Sequence, residues 1–487
     1  MIVRIWIRPE VRKIWVEGEN PMQVALVNTN QIKPPVAPIG LEYLAEALYA
    51  SGHVVEVFDP STGEAWEPAL VQFFGKKNFG LVGVTLRNTD DCVFTSRQSF
   101  LAPFSRIVES IRRHTDALIV VGGVGFSVMP EQILSLCGAD AGIWGEGEFS
   151  FVELANRIEE RRGWFDLPNL IYRHHDRWQR NPSCNPPLEK LPPMNRRWID
   201  NQRYFREGGQ AGIETKRGCP NSCIYCADPV AKGKQIRTRP SPSVVDELER
   251  LLAQGIDHIH TCDSEFNFPE AHAQEVCQEI IRRRIGEKLR WYAYCAPVPF
   301  SAELARVMRG AGCIGINFGV DSGDAGMLQR LRRNFSPEDI LNTVRWCRES
   351  GIAVMLDLLL GSPGETRESI FRTVELMRRA DPDRVGVAVG VRVYPGTELA
   401  DQVMSGELRK GLVGGEDRFE PLFFLEPQVA PFGFDLLDQL IGDDRRFFFF
   451  DPSRPEKNYN YNANQRLSEA IQKGYRGAYW DILRMYP

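Results

Sequence analysis

TKRGCPNSCIYCADP, residues 215–229, decides how the second half of this 487-residue chain folds. It sets Cys219, Cys223 and Cys226 in a C-x3-C-x2-C loop directly behind a short apolar run at 211–216. Three thiolates so crowded can converge on one small object. Structural zinc normally closes its site with four ligands, and neither a fourth Cys nor a His lies in this loop. A [4Fe–4S] cluster held by three cysteines instead keeps one iron open for a further ligand. The eight other cysteines, Cys92, Cys137, Cys184, Cys262, Cys277, Cys295, Cys313 and Cys347, are dispersed, and most of them read as small buried apolar residues.

Outward from the loop, apolar runs recur near 211–216, 256–262, 289–295, 313–320, 352–360 and 385–393. Amphipathic stretches at 243–254, 269–285, 301–311, 336–350 and 366–380 separate them. Such alternation predicts a parallel sheet covered by helices. Six units are too few for a closed (β/α)8 barrel, so residues 206–400 are predicted to form a partial (β/α)6 barrel. Residues two apart on a strand share a face. In 313–321 one face carries Ile314, Ile316, Phe318 and Val320, and the other Cys313, Gly315, Asn317, Gly319 and Asp321. In 385–393 the odd positions are Val, and the even ones are Gly386, Ala388, Gly390 and Arg392. The small and polar faces predict a lumen kept open for ligands. Arg392 there could hold a carboxylate bidentately or reach solvent. Asp357, inside AVMLDLLL, is expected in the lumen because burial without a partner is costly. His258 and His260, two apart, read as a structural or solvated pair.

Before the barrel, QVALVN (23–28), VVEVFD (54–59), FGLVGVTL (79–86) and ALIVVGG (117–123) alternate with helical segments, and GADAGIWGEGE (138–148) closes the series. This pattern predicts a Rossmann-like, doubly wound α/β domain over 22–165, after an N-terminal extension at 1–21. GGVGFSV (122–128) breaks the dinucleotide fingerprint at its last glycine. Pro-rich NPSCNPPLEKLPPMNRR (181–197) predicts an extended linker over 166–205. Residues 401–487, with Phe447–Phe450 and YNYN at 459–462, read as an aromatic C-terminal cap.

Lys plus Arg number 59 against 64 Asp plus Glu, a net charge of −5, which argues against nucleic acid as a partner. The sequence shows neither an apolar run of spanning length nor a secretory leader, and a cytoplasmic enzyme is expected.

The cysteine loop resembles the signature of radical S-adenosylmethionine (SAM) enzymes, with Tyr225 at the aromatic position before the third Cys. LLLGSPGET (358–366), RVYPGTEL (392–399) and FGVDSGD (318–324) resemble further motifs of that family. The resemblance implies a [4Fe–4S] cluster on Cys219, Cys223 and Cys226 whose open iron chelates SAM. It implies SAM contacts from Gly361, Asp321 and Ser322, with Asp321 where glutamate is more usual; Asn317, on the same polar strand face, is expected to bind cofactor too. CDSEFN (262–267) replaces a literal Gly-Gly-Glu, so the SAM amino group falls to Asp263 or Glu265.

VVGGVGFS (120–127), PEQIL (130–134) and GIWGEGE (142–148) resemble the cobalamin-binding branch of the same family. That implies cobalamin lined by Gly122, Gly123, Gly125 and Ser127, with Gly145, Glu146 and Gly147 in the next loop. The D-x-H-x-x-G ligand sequence is absent, and His53 and His114 are expected to face solvent. Arg87 or Asn88 of TLRNTDD (85–91) is expected beneath the corrin, unless Arg87 merely pairs with Asp90 or Asp91. The activity implied is C-methylation of an unactivated carbon in a small molecule, lipid or peptide. Arg392 and Asp357 are the candidate catalytic residues, and a flavodoxin- or ferredoxin-type protein the electron donor. A cyclase or ring-rearranging enzyme, a methylthiotransferase and a non-catalytic cobalamin sensor are the alternatives. The methylthiotransferase reading lacks the three further cysteines that such enzymes carry, since VNTNQ (27–31) contains none.

Overall fold

The computed structural model describes residues 21–60, 66–449, 458 and 460–486. The expected N-terminal extension, bar Pro21, lies outside these, as do Phe450 and Tyr459. In the first half, β1 (Gln23–Asn28), β2 (Val54–Phe58), β3 (Leu81–Thr85), β4 (Leu118–Gly122) and β5 (Ala141–Ile143) run parallel in the order β2-β1-β3-β4-β5. The inner strands are apolar on both faces because helices cover both. In β1, Ala25 and Val27 enter one core while Val24 and Leu26 enter the other. The strand order reverses between β1 and β3, so the loops after those strands open a crevice at the carboxyl edge.

Residues 166–205 depart from the extended linker. β6 (Leu170–His174) and β7 (Arg177–Arg180) form an antiparallel hairpin that extends the first sheet beyond β5. The turn puts His175 at φ 52°, and Asn169, fully buried, anchors its base by donating to Trp144 O at 3.0 Å. The prolines that suggested a connector begin only after this hairpin.

The second sheet is all parallel and open. Its strands are β8 (Ala211–Ile213), β11 (His258–Thr261), β12 (Arg290–Cys295), β13 (Cys313–Asp321), β14 (Ala353–Leu360) and β15 (Arg384–Val389). Between β8 and β11, β9 (Lys216–Arg217) and β10 (Arg237–Thr238) make a short antiparallel ribbon around the cysteine loop. β16 (Val391–Arg392), β17 (Leu412–Val413) and β18 (Phe423–Phe424) form a small separate sheet. The six expected strands are joined by a seventh, β19 (Phe447–Phe449), which pairs in parallel with β15. The aromatic run expected in a cap is therefore a barrel strand. Phe447 and Phe449 enter the helix-side core, and Phe448 faces inward.

The lumen is layered. Toward the amino ends, Tyr292, Met355 and Phe448 pack on Ala478 and Trp480 of the C-terminal segment, and Tyr292 donates to Asp481 at 2.7 Å. The C-terminal stretch is thus an internal plug as much as a cap. A register irregularity between Trp291 and Tyr292 reverses the expected faces at the start of β13. Cys313 joins the helix-side core there, and Ile314 packs inward. Above the plug, Tyr294, Asn317 and Asp357 follow on the same faces. Among the described residues no helix is long and apolar enough to cross a membrane.

Candidate active site between the two sheets

The cysteine loop is fixed at its base by Asp263. Its carboxylate accepts from Thr215 N at 2.8 Å, Thr215 Oγ1 at 2.6 Å and Lys216 N at 3.2 Å. Gly218, at φ 92°, passes so near the ribbon that a Cβ would lie 2.1 Å from Gln235 O. Cys219 N then donates to Gly233 O at 3.1 Å, and Cys226 N to Cys223 O at 3.2 Å. All three thiols are unbridged, and burial pushes each upward. Cys219 is raised further by Cys223, and Cys226 by both of the others. Three adjacent soft donors, with no fourth beside them among the described residues, fit an iron–sulphur cluster with one open iron.

Around them stand acids and one arginine. Glu265 is largely buried, and that burial, opposed by Arg333 and Lys216, pushes its carboxyl up to about 7. Of the two acids proposed for the SAM amino group, Asp263 is committed to the loop, whereas Glu265 is turned to the cysteines. Arg333 was not singled out in the sequence, where RLRRNF (330–335) offers three arginines without distinguishing them. Its guanidinium lies 3.1 Å from Cys223 Sγ, 3.3 Å from Asp321 Oδ2 and 3.8 Å from Glu265 Oε1. Asp321 also accepts from Tyr225 Oη at 2.6 Å. It follows a β-bulge and sits at φ 60°, a bend that turns its side chain toward the cysteine loop.

Other expected ligands fall differently. The hydroxyl of Ser322, fully buried, lies 3.0 Å from Thr373 Oγ1 and accepts from Asp324 N at 3.1 Å. It shapes the strand end and is not presented to a ligand. Asn317 is buried, with Oδ1 left without a partner, an acceptor suited to a bound donor. Gly361, at φ 82°, closes on the loop from 425, where a Cβ would meet Leu425 Cδ1 at 2.4 Å. Gly361→Val is therefore expected to cost about 1–3 kcal/mol of stability and to distort this strand end. Denaturant unfolding and SAM titration check both effects.

Arg392 does not face the lumen as a free cation. Its Nε bonds Asp90 Oδ2 at 2.9 Å, and its Nη1 bonds Val393 O and Leu422 O at 2.7 and 3.0 Å. It ties the barrel's exit to the first domain, so the expected carboxylate-binding role is withdrawn. Asp357 does lie inward, near enough to Tyr294 and Tyr461 to raise both phenols. Tyr294 is 43% exposed although it sits on a central strand, which marks an open chamber inside the barrel. His258 and His260, expected to be a structural or solvated pair, each have a partner within the fold. His258 pairs with Asp257 at 2.7 Å, and His260 bonds Thr261 O at 2.8 Å, with burial lowering its pKa to about 4.

In the first domain, Arg87 donates to Asn88 Oδ1 at 2.7 Å. Asp90 is held by Arg392, and Asp91 by Ser96 and Asn460, so neither is its partner. Arg87 instead reaches toward the barrel, close enough to Cys262, Tyr294 and Tyr479 that its charge partly opposes the burial that pushes all three upward. Gly123 and Gly125 pack on the Arg87 loop; Cβ atoms there would lie 2.6 Å from Leu86 O and 2.9 Å from Asn88 N. At Gly122 a Cβ would meet Ile143 O at 3.4 Å, whereas Gly147 opens on free space. Ser127 Oγ donates to Gly123 O and accepts from Gly145 N, both at 2.8 Å. Glu146, expected beside the corrin, is instead salt-bridged to Arg217 at 3.2 Å and to Arg237. His53 is buried against Asn156 at 3.0 Å rather than solvent-facing, whereas His114 is exposed as expected. What remains open at the crevice is Arg87, Asn88 and the exposed Val124, a mixed polar and apolar floor fit for a corrin.

Two family models match the chain: the radical SAM superfamily over residues 213–377 and the B12 binding domain over 25–155. A tryptophan 2-C-methyltransferase of Streptomyces laurentii is 34% identical, over 94% of this chain and 95% of its own. The solved radical SAM methyltransferase TsrM of Kitasatospora setae, with tryptophan and a SAM analogue bound, superposes with a TM-score of 0.89. It is 32% identical and covers 95% of this chain and 97% of its own. The same enzyme solved with cobalamin and a [4Fe–4S] cluster matches at a TM-score of 0.87 and 30% identity, over 96% of this chain and 97% of its own. On these similarities the chain belongs to the cobalamin-dependent methyltransferases of the radical SAM superfamily, which use a [4Fe–4S] cluster, SAM and cobalamin.

Proposed function

We propose that this protein C-methylates tryptophan or a close indole relative, in the chamber between the barrel mouth and the first domain. The observation that carries the reading is full-length similarity to enzymes acting on tryptophan. A chamber bordered by Tyr294, Tyr461 and Tyr479, with Asp357 beside it, suits a flat aromatic amino acid. When bound, SAM supplies the methyl group, cobalamin carries it, and the cluster supplies electrons.

The chain's own residues position these groups. Cys219, Cys223 and Cys226 hold the cluster. Glu265 takes the SAM ammonium, and Arg333, beside Cys223, offers a fork for the carboxylate. Asp321, oriented by Tyr225, faces the ribose, with Asn317 Oδ1 as a further acceptor. Arg87 and Asn88 form the floor beneath the corrin. A ferredoxin- or flavodoxin-type protein delivers the electrons.

The two acids after β11 separate in a direct test. Glu265→Gln is expected to weaken SAM binding ~10-fold with iron content unchanged. Asp263→Asn is expected to lower iron content instead, because it frees the base of the cysteine loop. Iron analysis with SAM titration reads both. The substrate is tested by mass spectrometry of anaerobic reactions offering the free aromatic amino acids. Tryptophan gaining one methyl group supports the reading; tryptophan left unchanged while another compound class is methylated overturns it.

A further inference from the structure

A continuous chain of contacts joins the expected floor of the corrin to the first cluster cysteine. The Arg87–Asn88 backbone packs on Gly125, Ser127 links Gly123 to Gly145, and the next residues bear two buried carboxylates, Glu146 and Glu148. Both carboxylates end on Arg217. Its Nη2 lies 2.6 Å from Glu148 Oε1, its Nη1 3.2 Å from Glu146 Oε2, and its Nε 2.7 Å from Glu214 Oε2. Arg237, paired with Arg217 across the β9–β10 ribbon, holds Glu146 from the other side at 2.8 Å. Arg217 is 7% exposed and is followed directly by Gly218 and Cys219.

Apolar packing would let two domains slide. A guanidinium fork shared among three carboxylates fixes direction as well as distance. We propose that Arg217, backed by Arg237, is a positioning residue that sets the separation and orientation of cobalamin and cluster by locking the 145–148 loop to the cysteine loop. This rests on the cofactor placement proposed above. Arg217 touches neither reactant, and its contribution is the alignment on which group transfer depends.

The test uses anaerobically reconstituted holoenzyme with the cluster reduced and cobalamin in its cob(II) form, both paramagnetic. Pulsed electron paramagnetic resonance reads the distance between them. Wild type is expected to give one narrow distribution. Arg217→Met is expected to broaden it, with iron and cobalamin contents unchanged and methyl transfer ~100-fold slower. Arg217→Lys is expected to recover part of both. If Arg217→Met is not recovered folded, Glu148→Gln removes the same ion pair from the other domain and is read identically. A wild-type distance distribution in the folded variant overturns the proposal, whatever its thermal stability. Wild type that takes up no cobalamin overturns the cofactor placement, and the clamp with it.

Discussion

Cys223→Ala is expected to leave a folded protein that holds no stable [4Fe–4S] cluster and does not turn over SAM. On the proposed assignment the cluster has three protein thiolates, so losing one leaves two ligands for four irons. Cys223 is also the thiol that Arg333 contacts at 3.1 Å, so this change breaks the link between cluster and the Asp321 side of the site. Folding should survive, because Cys223 is only partly buried and sits in a loop outside the main core. Iron and sulphide analysis, the visible charge-transfer band and SAM consumption measure the effect. A fully loaded cluster in this variant contradicts the ligand assignment.

Arg87→Ala is expected to slow methyl transfer at least ~10-fold and to alter the spectrum of bound cobalamin. Arg87 is not engaged by Asp90 or Asp91, and its charge reaches residues of the barrel mouth. A protonated guanidinium offers no lone pair to cobalt, and the loop from 85 to 91 contains no histidine. Cob(II)alamin in the wild type should therefore lack nitrogen splitting from a protein imidazole. Such a splitting refutes the assignment, and unchanged cobalamin affinity and turnover in Arg87→Ala would reduce the residue to a surface group.

The parts legible in sequence were those set by local pattern. Apolar runs alternating with amphipathic helices specify both sheets, because each parallel strand is buried on two faces. The cysteine loop was legible because its three thiols lie within eight consecutive residues. The parts that were not legible depend on partners distant in sequence. β19 is three phenylalanines whose pairing with β15 leaves no local mark. Asp263 and Glu265 share a strand-end parity, and only Thr215 and Lys216 decide which is spent. Glu146 between two glycines reads like a ligand loop until Arg217 and Arg237 arrive from the other domain. Arg392 likewise faces Asp90, not a substrate.

Methyl transfer is expected to run through all three cofactors in one chain. Anaerobically reconstituted protein, incubated with tryptophan and SAM carrying a deuterated methyl group, with and without cobalamin, reads this. Mass spectrometry is expected to find the intact labelled methyl on tryptophan carbon only when cobalamin is present. Labelled product of equal yield from cobalamin-free protein, or product that is altered but carries no label, would refute transfer through cobalamin.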